Sequence, residues 1–328
     1  MSYKSVYESW KSNPEAFWLE LARGVDWKIF PETILNSSNP PFYHWFEDGL
    51  ANTCYNAVDR HVLSGLGKKT AIIYDSPVTN SKEYLSYHEL LLKVSKFGAA
   101  LKQKGIKKGD RVIVYMPMTL EAIIAMLACA RIGAIHSVVF GGFAAAELAV
   151  RIDDATPKAI LAGSCGLEVN KVVEYKPLLD EAISLAKHSP EFCVILQRPQ
   201  CISSLIPGRD YEWDDFQKMS EGCDCIPIKG SDPLYILYTS GTTGEPKGVV
   251  RPSGGHMTSL IWTMKNLYGV GQDDVFWAAS DVGWVVGHSY ICYAPLLNGN
   301  TTVLFEGKPV GTPDAGTFWR VISEHSVS

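Results

Sequence analysis

From residue 70 onward, short apolar segments alternate with longer amphipathic ones, and this alternation restricts the chain to one fold class. Ala71–Asp75, Arg111–Met116, Ser137–Phe140, Ala159–Ala162 and Cys193–Leu196 read as strands. Between them, Ser86–Lys104, Leu120–Ile132, Ala144–Asp154 and Tyr175–Lys187 carry helical periodicity. Ser86 and Glu89 have capping-box spacing, and Gly105 and Gly133 stand where helices stop. Strands that alternate with helices form parallel sheets covered on both faces, so the expected class is α/β.

The polar stretch 198–232 interrupts the pattern, with Pro199, Pro207, Gly208 and the acidic pair Asp214-Asp215. It reads as a linker with a short helix. The alternation then resumes through Leu234–Tyr238, His256–Leu267, Val275–Ala279, Ser289–Leu297, Thr301–Phe305 and Gly316–His325. The implied organisation is an N-terminal extension over 1–65, a first α/β lobe over 66–230 and the start of a second over 231–328. Within the extension, 3–12 and 14–23 suit helices and the remainder reads as a looping collar. The pattern stops after a helix without its next strand, which reads as a truncated second lobe.

Composition removes several function classes. The net charge of −5 gives no basic footprint for nucleic acid or a membrane surface. No run reaches the ~18 apolar residues of a membrane span. The N-terminus has no apolar signal core and carries Glu8, Glu15 and Glu20, so a cytoplasmic location is the expectation. The eight cysteines are scattered, several within apolar runs, as expected of reduced, buried thiols. Cys223 and Cys225 are the only close pair in sequence, and no second pair at zinc-knuckle spacing accompanies them. No metal site is therefore expected.

The densest chemistry lies at Thr239-Ser240-Gly241-Thr242-Thr243-Gly244-Glu245-Pro246-Lys247-Gly248, directly after an apolar strand. Glycines let a backbone approach a ligand and expose its N–H groups, and successive N–H groups form an anion nest. Thr239, Ser240, Thr242 and Thr243 add hydroxyl donors, and Lys247 adds a mobile positive charge suited to polyphosphate. A Walker A loop is excluded by count. From Gly241, Pro246 replaces the second glycine and Gly248 replaces the magnesium-binding hydroxyl.

The run Thr239–Gly248 resembles the signature of the adenylate-forming superfamily, which includes acyl-CoA synthetases, luciferases and peptide-synthetase adenylation domains. Three further segments are similar to the short-chain branch, the acetyl- and propionyl-CoA synthetases. They are Asn52–His61, Arg131–Phe143 and Ser280–Tyr290. In the first, Asp59 and Arg60 are expected to pair and position the chain.

The resemblance implies the N-terminal domain of an enzyme that uses ATP, Mg²⁺ and CoA. On it, Thr239, Ser240, Gly241, Thr242, Thr243, Gly244 and Lys247 would hold the ATP phosphates. Gly141, Gly142, Glu168, Val169, Asn170, Lys171 and Val286 would meet CoA. Glu168 reverses and Lys171 retains the positive charge that related synthetases supply there with arginines.

Trp284, Val285 and Val286 would wall the acyl group. Acetate-specific relatives commonly carry Thr at the position of Val286, so Val favours propionate. His288 is a candidate carboxylate or phosphate partner, and Lys308 reads as solvated. The catalytic lysine, the magnesium carboxylate, the adenine strand and the ribose aspartate of the family fall beyond Ser328. The expected partners are a short-chain carboxylate, ATP and CoA. A nucleotide-binding module without catalysis, and an adenylating enzyme that passes its acyl group elsewhere, are the competing readings.

Overall fold

The computed structural model describes residues 2–168, 171–239, 247–308 and 311–328. Strand Arg111–Tyr115 shows why the fold is layered. Val112 and Val114 enter the main core beneath helices Tyr87–Gln103 and Leu120–Arg131. Ile113 and Tyr115 point the other way, into a second core beneath Ala145–Ala155 and Tyr175–Leu185. The two-residue side-chain period of a strand thus buries both faces, as a parallel sheet under helices requires.

Apart from two-residue strands at Leu35–Asn36, His44–Trp45, Leu50–Ala51 and Ile228–Lys229, the strands among the described residues are β1 Thr70–Ser76, β2 Ser81–Ser86, β3 Arg111–Tyr115, β4 Ile135–Val138, β5 Ala159–Gly163, β6 Cys165–Glu168 and β7 Lys171–Glu174. They continue as β8 Phe192–Leu196, β9 Asp210–Glu212, β10 Pro233–Thr239, β11 Lys247–Pro252, β12 Val275–Phe276 and β13 Thr301–Phe305. One sheet has the order β9-β8-β5-β3-β4-β10-β11 and is parallel except for the edge pair β10/β11. The other has the order β12-β13-β1-β2, with only β1/β2 antiparallel. An α/β architecture with mainly parallel sheets is therefore observed.

The sheets do not follow the division expected at residue 230. Strands β10 and β11 complete the first sheet, whereas β1 and β2 join β13 in the second. Periodicity identifies a strand but not its neighbours, so a lobe assembled from distant segments escapes it. Three smaller differences share a cause. Strand β2 is mostly exposed, the hairpin β6/β7 ends in polar residues, and β9 is three residues long. None carries an apolar run.

The linker is also more structured than its polarity suggests. Helix Trp213–Gln217 follows β9, and Trp213 stacks on Phe97 with ring centroids 4.0 Å apart. In the extension, helices Tyr3–Ser12 and Pro14–Ala22 form as expected. Residues 55–66 are wide helical turns rather than extended collar. Asn52 stitches this segment to the sheet domain, donating to the carbonyls of Ala130, Arg131 and Ile226 at 2.8–3.1 Å. Asp59 and Arg60 do not pair with each other. Asp59 receives both terminal nitrogens of Arg131 at 2.8 and 2.9 Å, while Arg60 donates to Gly24 and Leu297 carbonyls.

Candidate active site

Parallel strands that end on one edge leave a crevice there, where ligands of α/β proteins collect. Here the carboxyl ends of β3, β4 and β13 border a cavity of about 260 Å³. Its wall includes Pro117 and Met118 after β3, Phe140–Gly142 after β4, and Glu306–Lys308 after β13. Ala279, Ser280 and Asp281 close another side.

Local packing explains several of these residue types. A Cβ on Gly141 would lie 2.4 Å from the Tyr175 hydroxyl, and one on Gly166 would lie 2.2 Å from it. Both glycines therefore make room for Tyr175, whose ring also packs on Tyr115 at 4.9 Å. Gly142 has φ +92° and open space where a Cβ would stand, so it is the residue there with backbone freedom.

Asp281 is one of three acidic residues of the wall, with Glu168 and Glu306. Its Oδ1 accepts the Gly283 N–H at 2.7 Å, and burial raises its carboxyl above the usual range. Glu306 sits opposite under a full set of donors. Arg198 reaches it through both terminal nitrogens at 2.7 and 3.0 Å, and the hydroxyls of Tyr74 and Ser76 lie at 2.6 and 2.8 Å. Arg198 follows β8 in one sheet, while Glu306 and Tyr74 belong to the other. This buried network holds the two sheets together at the cavity floor. Burial, and then the neighbouring Glu306 carboxylate, push the Tyr74 hydroxyl upward, so it remains a donor.

The phosphate-loop segment begins on the same edge. β10 runs parallel to β4 with Tyr235 opposite His136. Four residues further along each strand direction come Thr239 and Phe140, so the register carries both toward the same end. Thr239 pairs with Lys247 across the antiparallel β10/β11 ladder, so the two described ends of the segment stand side by side. The returning strand β11 was not evident in the sequence, because glycine and lysine at its start mask its Val-Val run. Ser240, Gly241, Thr242, Thr243 and Gly244 lie outside the described residues, as do Val169 and Asn170.

The remaining candidates separate into two groups. Gly141, Gly142 and Glu168 line the cavity. Glu168 and Lys171 also line an adjoining cavity of about 440 Å³ with Pro77, Gln200 and Thr312. These two residues face each other across the β6/β7 hairpin. Lys308 is exposed but not simply solvated, since its ammonium lies 3.2 Å from Glu168. Trp284, Val285 and Val286 stand beside the first cavity rather than in its wall, each about half exposed at 51%, 45% and 47%. Trp284 packs its ring on Phe140 at 5.7 Å.

His288 is buried, and its Nδ1 lies 3.1 Å from the Trp284 carbonyl. It belongs to a cluster of rings that sequence reading missed. His136 stacks on His288 at 5.6 Å and on Tyr235 at 5.5 Å, and His256 meets Tyr235 and Tyr293 edge-on. Burial lowers all three imidazoles, His288 to about 4 and His256 to about 3. They are neutral near pH 7. These histidines are distant in sequence, and no local spacing announces their meeting.

Comparison with known proteins agrees with this geometry. The profile of the AMP-binding enzyme family matches residues 60–328, and that of the acetyl-coenzyme A synthetase N-terminus matches 3–57. The mouse protein named acyl-CoA synthetase short-chain family member 3, mitochondrial, is 54% identical over 327 residues, covering 99% of this chain and 48% of its own length. Propionate–CoA ligase of Escherichia coli is 43% identical, with 100% of this chain and 52% of the relative covered. Acetyl-coenzyme A synthetase of Pasteurella multocida is 42% identical, with 100% and 50% covered. The chain thus spans about half the length of the curated relatives it matches. A profile match across most of the chain, on a mainly parallel sheet whose strand ends border the cavity, places this chain in the AMP-binding enzyme family.

Proposed function

We propose that the chain supplies the N-terminal part of an ATP-dependent ligase that joins a short-chain carboxylate to CoA through an acyl-adenylate. The observation that carries this reading is the shared strand edge. It carries the Thr239/Lys247 pair toward the end that holds the Phe140–Gly142 cavity. The names of the relatives support the same chemistry.

In the first half-reaction, a carboxylate oxygen attacks the α-phosphorus of ATP and pyrophosphate leaves. In the second, the CoA thiolate attacks the acyl carbonyl and AMP leaves. Such chemistry needs positioning and neutralisation of developing charge more than covalent help from the protein. Thr239, Ser240, Gly241, Thr242, Thr243, Gly244 and Lys247 are assigned to the β- and γ-phosphates of ATP, which enters as its Mg²⁺ complex. Gly141, Gly142, Glu168, Val169, Asn170 and Lys171 are assigned to CoA. The two cavities that share Glu168 support a path between the acyl end and the nucleotide end of that substrate.

Trp284, Val285 and Val286 are assigned to the acyl group, with Val286 also near the CoA path. Their half-exposed position supports a pocket that closes only when substrate or another part of the protein covers it. Val286 supports propionate over acetate, although one methylene discriminates by only ~1–3 kcal/mol. The 328 residues alone are expected not to sustain turnover.

ATP–pyrophosphate exchange by the full-length protein with acetate, propionate and butyrate tests the reading. Propionate should be preferred, and Val286→Thr should shift preference toward acetate. Preference for an aryl or amino acid would overturn it.

A further inference from the structure

The sequence brings Cys223 and Cys225 together, but the fold assembles a different pair. Cys54 leaves the collar and Cys225 leaves the linker, and their sulfurs lie within 4.8 Å of each other and of the Asp59 carboxylate. Cys225 Sγ is 3.7 Å from Asp59 Oδ2. Cys223 faces elsewhere, with its sulfur 3.7 Å from the Ser95 carbonyl. Cys54 is fully buried. Cys225 is partly exposed and lines a cavity of about 320 Å³ with Asp26, Trp27, Asn52 and Tyr55.

A metal ion does not suit this cluster. Arg131 holds Asp59 through two hydrogen bonds and places Nη1 3.6 Å from Cys54 Sγ. A fixed guanidinium charge therefore stands against two of the three groups that a cation would need, and Cys54, Asp59 and Cys225 lack the fourth protein ligand of a structural zinc site. Two thiols held side by side, one of them reachable from a cavity, are instead the arrangement of an attacking and a resolving sulfur in thiol–disulfide exchange.

We propose that Cys54 and Cys225 form a reversible disulfide by exchange with a low-molecular-weight disulfide, linking the collar to the linker segment. Access sets the order of events. The partly exposed Cys225 loses its proton and attacks one sulfur of the small disulfide, expelling a thiolate that takes up the proton. A mixed disulfide then stands on Cys225. The deprotonated Cys54 sulfur attacks the Cys225 sulfur of that bond and expels the second small thiol. The protein gives up two electrons and two protons, and the small disulfide becomes two thiols. Bond formation closes the sulfurs from within 4.8 Å to ~2.05 Å, beside the cavity that Cys225 lines. The neighbouring Cys54 thiol and burial raise the Cys225 thiol above its ordinary range, so exchange should accelerate with rising pH.

Oxidised glutathione added to the reduced 328-residue protein provides the probe, with intact mass and a non-reducing proteolytic digest as readouts. The expected product has lost two hydrogens, keeps no glutathione and yields a Cys54–Cys225 cross-linked peptide. Cys54→Ser should instead retain one glutathione on Cys225, and Cys223→Ser should behave as wild type. A lasting glutathione adduct on wild-type Cys225, a link through Cys223 or no link at all would overturn the proposal. The wild-type digest decides even if a variant fails to fold. None of these readouts depends on ligase activity.

Discussion

Two buried polar clusters flank the candidate site and solve burial in opposite ways. In the Arg198–Glu306 cluster, both ions are buried and each carboxylate oxygen has a charged partner, with Tyr74 and Ser76 adding hydroxyls. In the imidazole cluster, His136 Nδ1, His288 Nε2 and both His256 nitrogens are buried and find no hydrogen-bond partner among the described residues. The first cluster joins two sheets by matched charge. The second stays uncharged, because burial holds each ring neutral. A matched ion pair is costly to break from one side, whereas a neutral ring cluster is costly to protonate. The two therefore fail under different treatments.

Breaking the first cluster should have the largest effect. Glu306→Ala leaves Arg198 buried without its partner and should cost about 3–5 kcal/mol, read as a lowered urea midpoint. The double replacement of Arg198 and Glu306 by leucine should recover much of that loss. Equal loss in single and double variants would show that the pair does not act as a unit.

Crowding the cavity wall comes next. Gly141→Ala drives a methyl against the Tyr175 hydroxyl, and overpacking of this kind costs ~1–3 kcal/mol. Tyr175→Phe removes the atom in the way and should restore part of the stability. A Gly141→Ala protein as stable as wild type would mean that Tyr175 moves freely, and the cavity wall with it.

Acid should act on the second cluster. An imidazole in the unfolded chain titrates near ~6.5, whereas burial lowers His288 to about 4 and His256 to about 3 in the folded protein. The unfolded state therefore takes up protons first as pH falls. This stability is full above ~6.5 and is lost as the pH drops through about 4 and then about 3. Urea midpoints measured across that range should fall, and His256→Leu should flatten the slope. An unchanged slope would remove His256 from this account.

The contrast also explains what could be read in advance. Thr301–Phe305 and the capping box of Ser86 and Glu89 were legible because each is a local pattern. The class of the fold follows from many such patterns. Which strands share a sheet does not, because β1 meets β13 across most of the chain. The site divides in the same way. Thr239, Lys247, Gly141 and Gly142 sit in dense local motifs. Tyr175, Arg198, His136 and His256 become site neighbours only through packing. Even Gly141, marked as a point of ligand approach, owes its missing side chain to Tyr175.

The smallest expected effect tests whether matched charge matters where water remains. Lys308 and Glu168 form an ion pair at 3.2 Å, but their side chains are 59% and 49% exposed. Exposed pairs contribute at most about 1 kcal/mol, since solvent screens them and two long side chains lose freedom. Lys308→Ala should therefore leave the urea midpoint nearly unchanged, and added salt should make no further difference. Its influence belongs instead to the charge at the rim that joins the two cavities. Removing the lysine frees Glu168 to oppose an incoming anion, so in the full-length protein the KM for CoA should rise while that for ATP stays the same. A large stability loss would place Lys308 with Arg198 as a structural cation, and an unchanged KM for CoA would detach this rim from the proposed path.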